Sequence, residues 1–179
     1  MWSLWPVPIR LPAAEIEIQA DRRLAFQVLT AWGAAGPGGE PGSRVLREDG
    51  ARKLIEFRTP IKGLFGRTKV HRTVEWVTTH EPDRIDFAGE QGPLPLLRDR
   101  FVLEEWGACT RMRYESTFGV RGWLAGWLVG KLYVAPMLKR FMRQHLIEMK
   151  ETIESRAKRS KVYPQQPCPP PEGADDAAQ

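Results

Sequence analysis

Residues 123–158 carry apolar side chains at helical spacing for about ten turns, interrupted by Pro136. The first half, GWLAGWLVGKLYVAPML (122–138), is apolar nearly all round apart from Lys131. A helix of that kind is normally buried on more than one side. The second half, LKRFMRQHLIEMKETIES, is amphipathic, with Leu138, Met142, His145, Leu146, Met149 and Ile153 facing inward. Pro136 is expected to kink the helix or divide it in two. The chain ahead of this helix must supply a surface broad enough to wrap it.

That surface reads as an antiparallel sheet. AAEIEIQA (13–20) alternates strictly, Ile16 and Ile18 against Glu15 and Glu17, as a half-buried strand does. Asp21 is placed to cap a short helix, DRRLAFQVLTAW, with Leu24, Val28, Ala31 and Trp32 at helical spacing. GAAGPGGEPG (33–42) holds no regular element. From Ser43 to Val120 strand patterns alternate with turn signals: Asp49-Gly50, a long strand over 63–79 ended by His80-Glu81-Pro82-Asp83, then Gly92-Pro93 and Gly107-Ala108. Short connections favour a meander over crossovers. The fold class is therefore α+β, a curved antiparallel sheet around a long C-terminal helix. One domain over 13–160 is expected, behind an N-terminal extension (1–12) and ahead of a disordered Pro-rich, acidic tail (161–179).

The period of two sorts each strand into faces. Ile55, Phe57 and Thr59 form one inner set; Val70, Arg72, Val74 and Trp76 share a face of the long strand, leaving His71, Thr73 and Glu75 on the other. Ile85 goes with Phe87, Leu97 with Asp99, Phe101 and Leu103, and Met112 with Tyr114, Ser116 and Phe118. These aromatics either fill a core or wall a cavity. An inward Arg72 needs a partner, and Asp99 is the obvious one, as a structural pair or as a ligand-orienting one; a slip of one residue sends both to solvent. Gly122, Gly126 and Gly130 stack on one helix face, where they permit close approach to the sheet, room for a ligand, or contact with lipid.

The order of elements resembles the START-like SRPBCC superfamily, which includes polyketide cyclase/dehydrase and lipid-transport proteins, birch-pollen-allergen relatives and coenzyme Q-binding proteins. EIEIQADRRLAFQVLTAW is similar to its opening strand and helix, THEPDRIDFAGEQGP to its central turn and strand, FVLEEWGACTRMRYESTF to its paired strands, and residues 122–154 to its terminal helix. The resemblance spans about residues 13–158. It implies a helix-grip fold with a cavity for lipids, quinones, polyketides or other apolar molecules, and no universal catalytic residue. Some members carry His where this chain reads Arg98-Asp99-Arg100.

An apolar ligand, carried or sensed, is the leading expectation, lined by Phe57, Arg72, Val74, Trp76, Phe87, Phe101, Met112, Tyr114, Trp127 and Leu128. The alternative is a cyclase/dehydrase-type enzyme using Tyr114, Asp99 and Arg72 as acid, base and oxyanion partner. A third reading is an interaction module at a membrane or ribosome, drawn from the net charge of +5 and the apolar helix. Peripheral membrane contact through Lys139, Arg140 and Arg143 stays open, while the apolar run of about 15 residues is short for a span. Nucleic acid is disfavoured, and the sequence carries no signal of oligomeric state. His71, His80 and His145 lack metal-ligand spacing, so no metal or cofactor is expected. Cys109 and Cys168 lie far apart in unlike contexts, so no disulfide framework is expected, and a reducing cytoplasm is the simplest location. The N-terminus, interrupted by Pro6, Pro8 and Pro12 and without a basic leader, is not expected to be a signal peptide.

Overall fold

A computed structural model of the chain describes residues 5–33, 42–62 and 68–169. Most of the loop expected over 33–42, the start of the long strand expected from 63, and residues 170–179 of the expected tail lie outside the described residues.

Among the described residues, eight strands, β1 (Val7–Arg10), β2 (Ala14–Ile18), β3 (Ser43–Asp49), β4 (Arg52–Lys62), β5 (Thr68–His80), β6 (Arg84–Gln91), β7 (Leu96–Trp106) and β8 (Cys109–Val120), form one antiparallel sheet. From β3 to β8 the sheet is a meander, each strand pairing with the next in sequence. β1 and β2 share the far edge of β8, Ile9 opposite Phe118 and Ile16 opposite Met112, with Leu11 N–H donating to the Ser116 carbonyl between them. The segment expected as an N-terminal extension thus completes the sheet, because Ile9 and Leu11 bury against Phe118.

Helix α1 (Arg22–Leu29) starts at Asp21, whose Oδ1 accepts from the Arg23 amide at 2.7 Å, satisfying a donor left over at the helix start. The long helix runs as α2 (Trp123–Val129), a π turn (Gly130–Val134) and α3 (Ala135–Arg159). Pro136 neither divides nor ends it. The wider turn, with Ala135 N–H bonded to the Gly130 carbonyl, sits just ahead of the proline, whose ring and missing N–H disturb a regular α turn. Gly126 and Gly130 are buried: a Cβ would lie 2.1 Å from the Arg121 carbonyl oxygen at the first and 2.5 Å from Ile9 Cδ1 at the second. Of the three uses open to the glycines, close packing is the one these two serve. Farther along, α3 is tied to β2 and the residue after it, Lys150 Nζ donating to the Glu17 carbonyl at 2.6 Å and the Gln19 amide to Glu154 Oε1 at 2.8 Å.

Two apolar clusters result. The larger joins Ile18, Ile55, Val77, Ile85, Leu103 and Met112 of the sheet to Phe26 of α1 and Ile153 of α3; the smaller gathers Ile9, Leu11 and Phe118 beneath Trp127 and Leu138.

Residues 161–169 depart from the disorder expected of them. Gln165 Nε2 donates to Gln19 Oε1, Gln19 Nε2 donates to the Gln166 carbonyl, and Cys168 is disulfide-bonded to Cys109 across 59 residues of sequence. The two cysteines that looked unrelated meet because β8 begins at Cys109 and the chain returns there after α3, bringing their Cα atoms to 5.4 Å. The bond also removes the ground for expecting a reducing compartment, since disulfides persist in oxidising ones.

Candidate functional site

Among the described residues, the space between the concave face of the sheet and α3 includes two adjoining chambers, of about 470 Å³ and 170 Å³, with Thr73, Glu75, Asp99, Tyr114, Phe141 and Met142 common to their walls. The larger volume falls within the range of small-molecule sites. Its sheet-side wall is an aromatic ladder across four strands: Phe57 to Phe87 at 6.2 Å between ring centroids, Phe87 to Phe101 at 5.7 Å and Phe101 to Tyr114 at 5.2 Å. The rings touch in series and still leave the cavity above them. The helix side is flexible and apolar, with Phe141, Met142 and Met149, while Leu29 and Trp32 lie at the α1 end.

Set into this wall is a polar cluster. Asp99 on β7 lies directly opposite Ser116 on β8, as Phe101 lies opposite Tyr114. Glu75 enters from β5, where it is 8% exposed and accepts a hydrogen bond from Thr73 Oγ1 at 2.8 Å. Burial pushes the Asp99 carboxyl up to about 6, against the opposing pull of the Ser116 and Tyr114 hydroxyls. Burial likewise raises Glu75, with the nearby Asp99 charge adding to it, and raises the Tyr114 phenol, so that Tyr114 is a neutral donor at any physiological pH. One Asp99 oxygen, Oδ1, is buried without a hydrogen-bond partner among the described residues. A buried acceptor in that state is costly, which makes it a place for a ligand's donor.

The expected lining residues divide sharply. Phe57, Phe87, Phe101, Asp99 and Tyr114 line the larger chamber. Met112 is fully buried in the core below it. Arg72, Val74 and Trp76 are a correction: β5 is one residue out of the expected phase. Ile55 and Phe57 of β4 stand opposite Glu75 and Thr73, so these, with His71, face the cavity and the Val70–Trp76 set faces the other way. Arg72 is more than half exposed and bonds Glu56, not Asp99; its hydrogen bond, with a lesser one from Arg58, holds the Glu56 carboxyl below the usual range. Trp76 is covered on that outer face by Arg47 and Arg52, whose guanidinium carbons lie 5.8 and 5.0 Å from its ring centroid. Trp127 packs on the β1 side beneath Lys131, and Leu128 is 50% exposed; neither lines the cavity. The hollow lies under α3, not under the glycine-bearing α2.

The sequence reading missed Glu75 and Thr73; His145, read as inward-facing but not as part of the site, lines the cavity with its ring stacked on Phe141 at 6.0 Å. The signal was present in Val77, fully buried and opposite Phe87, which fixes the inward phase of β5 as odd-numbered.

No protein-family model matches the chain, and no curated protein matches it in sequence. Solved structures do. The protein TTHA0849 from Thermus thermophilus is 17% identical with a TM-score of 0.59, covering 83% of this chain and 96% of its own. The Zhui aromatase/cyclase from Streptomyces sp. R1128 is 15% identical with a TM-score of 0.56, covering 87% and 98%. A START superfamily protein from Mycobacterium smegmatis is 14% identical with a TM-score of 0.52, covering 82% and 96%. The likeness is one of fold: the chain has the START-like helix-grip architecture.

Proposed function

We propose that this protein binds a small, mainly apolar molecule between the sheet and α3, as a carrier or sensor, and that the ligand presents a hydroxyl or ammonium donor to Asp99 and Glu75. The observation that carries this reading is the buried Asp99 Oδ1, without a hydrogen-bond partner among the described residues, in the wall of a cavity lined largely by aromatic and Met side chains. An apolar ligand body would gain roughly 25 cal/mol for each Å² it removes from water. A ligand carboxylate would instead meet two buried carboxyls, so donor-bearing ligands are favoured over fatty acids. The fold shared with a START superfamily protein and an aromatase/cyclase supports the general reading. Native mass spectrometry of the purified protein is expected to find an apolar, donor-bearing adduct. Protein that stays free of any adduct, and whose melting temperature no apolar amine or alcohol raises, would remove the proposal.

One observation favours a second reading. A carboxyl that titrates near 6 beside a neutral Tyr114 hydroxyl is a suitable proton shuttle for a carbonyl-bearing, polyketide-like substrate. Arg72, on the outer face, has no place in such a mechanism. The enzyme reading requires that Tyr114→Phe and Asp99→Asn each lower turnover at least about hundredfold while substrate still binds. Unchanged turnover in both leaves the carrier reading alone.

A further inference from the structure

The side of α2, the π turn and early α3 turned away from the sheet is apolar and open to solvent. Leu124, Leu128, Val129, Leu132, Tyr133 and Met137 are 45–68% exposed and follow one another along the helix. Isolated exposed leucines are ordinary; a contiguous row of them marks a contact surface.

The charge around the row is one-sided. Between Glu115 and Glu148 there is no acidic residue, while Arg121, Lys131, Lys139, Arg140 and Arg143 are all exposed. Trp5, 81% exposed, stands two residues before Val7, which pairs with Val120 just ahead of α2, so an aromatic side chain lies at the same end of the molecule. No helix among the described residues is long and apolar enough to cross a membrane. A helix of this make-up lies along an interface, its apolar side in the acyl boundary and its cations at the headgroups.

We infer that the α2–π turn–α3 row is a docking surface for an anionic lipid bilayer. The row is continuous with the cavity, because Met137 belongs both to the exposed row and to the wall of the smaller chamber. Docking would therefore turn one end of the cavity towards the lipid. The surface is defined by the helix exterior and does not depend on what the cavity holds.

Vesicle flotation tests it, with phosphatidylcholine vesicles with and without phosphatidylglycerol. The protein is expected to float with the anionic vesicles at low salt and to be released as ionic strength rises, since each basic residue adds roughly fivefold to partitioning. The double variant Leu128→Glu/Leu132→Glu is expected to lose at least about tenfold of the binding. Lys139→Glu/Arg140→Glu should lose the salt-sensitive part. Both pairs are at the surface, and circular dichroism verifies that they fold. Protein that remains unbound to anionic vesicles at low salt overturns the inference, as does flotation of the Leu128→Glu/Leu132→Glu variant equal to that of the wild type. A concentration-dependent dimer in light scattering that Leu132→Glu dissociates would assign the row to a second copy and overturn it too.

Discussion

Asp99 and Ser116 stand directly opposite each other on β7 and β8, and the Asp99 carboxyl they present to the cavity titrates near 6. Its folded-state value lies above its ordinary 3.8, so the folded protein holds this proton more tightly than the unfolded chain does. Below about pH 4 both states are protonated and Asp99 costs nothing. As pH rises through the window from about 4 to 6 the cost develops, reaching about 3 kcal/mol at 1.36 kcal/mol per pH unit. Asp99→Asn is accordingly expected to be more stable than the wild type at pH 7, by about 1–3 kcal/mol in urea unfolding, with the gain gone by pH 4. An Asn variant less stable at pH 7 would mean the carboxylate is satisfied in the fold.

The phase of β5 has a direct consequence for binding. Phe87 lines the cavity while Trp76 lies on the opposite face under Arg47 and Arg52. In a fluorescence-displacement titration with an apolar probe, Phe87→Ala should weaken binding by about tenfold or more, the loss of an aromatic contact. Trp76→Ala should leave it within about twofold. Comparable losses in both variants would place the two rings on one face.

Gly126 separates helix propensity from packing. Alanine normally improves a helix by about 1 kcal/mol over glycine. At this position its Cβ would fall 2.1 Å from the Arg121 carbonyl oxygen, and backbone cannot swing aside as a side chain can. Gly126→Ala should destabilise by about 1–3 kcal/mol despite the propensity gain. Thermal unfolding at matched concentration gives the sign.

The Cys109–Cys168 bond closes a long loop, and loops of that length gain about 4 kcal/mol in the chain-entropy view. Cys168→Ser is expected to lower stability by about 2–4 kcal/mol. Limited proteolysis should then cut the 161–169 segment, which is otherwise held at Gln19 and Cys109. Two freely alkylated thiols in the native, unreduced wild type would contradict the bond.

Strong periodicity made the architecture legible. The α3 stripe and the alternations of β7 and β8 each buried the face that the sequence made more apolar. β5 did not. Its outer face carries Val70, Val74 and Trp76, while its inner face carries Thr73 and Glu75, because arginines cover the outer tryptophan and the inner side presents polar groups to a cavity. Hydrophobic counting fails at such a strand for the same reason the strand is of interest. β1 was missed for a different cause: Pro6, Pro8 and Pro12 argue against a strand, and only an edge position against β8 tolerates them. The cysteine pair was invisible because its proximity is created by the whole path from β8 through α3.

The most direct measurement is a calorimetric titration with a matched pair of ligands, a long-chain amine or alcohol against the carboxylic acid of the same chain length. The donor-bearing member is expected to bind at least about tenfold tighter at pH 7, with the preference narrowed by Asp99→Asn. For the amine, acidification through pH 6 should weaken binding as Asp99 takes up its proton. A carboxylic acid that binds as tightly as its partner, with Asp99→Asn changing neither, would contradict the assignment of Asp99 as the group that receives the ligand.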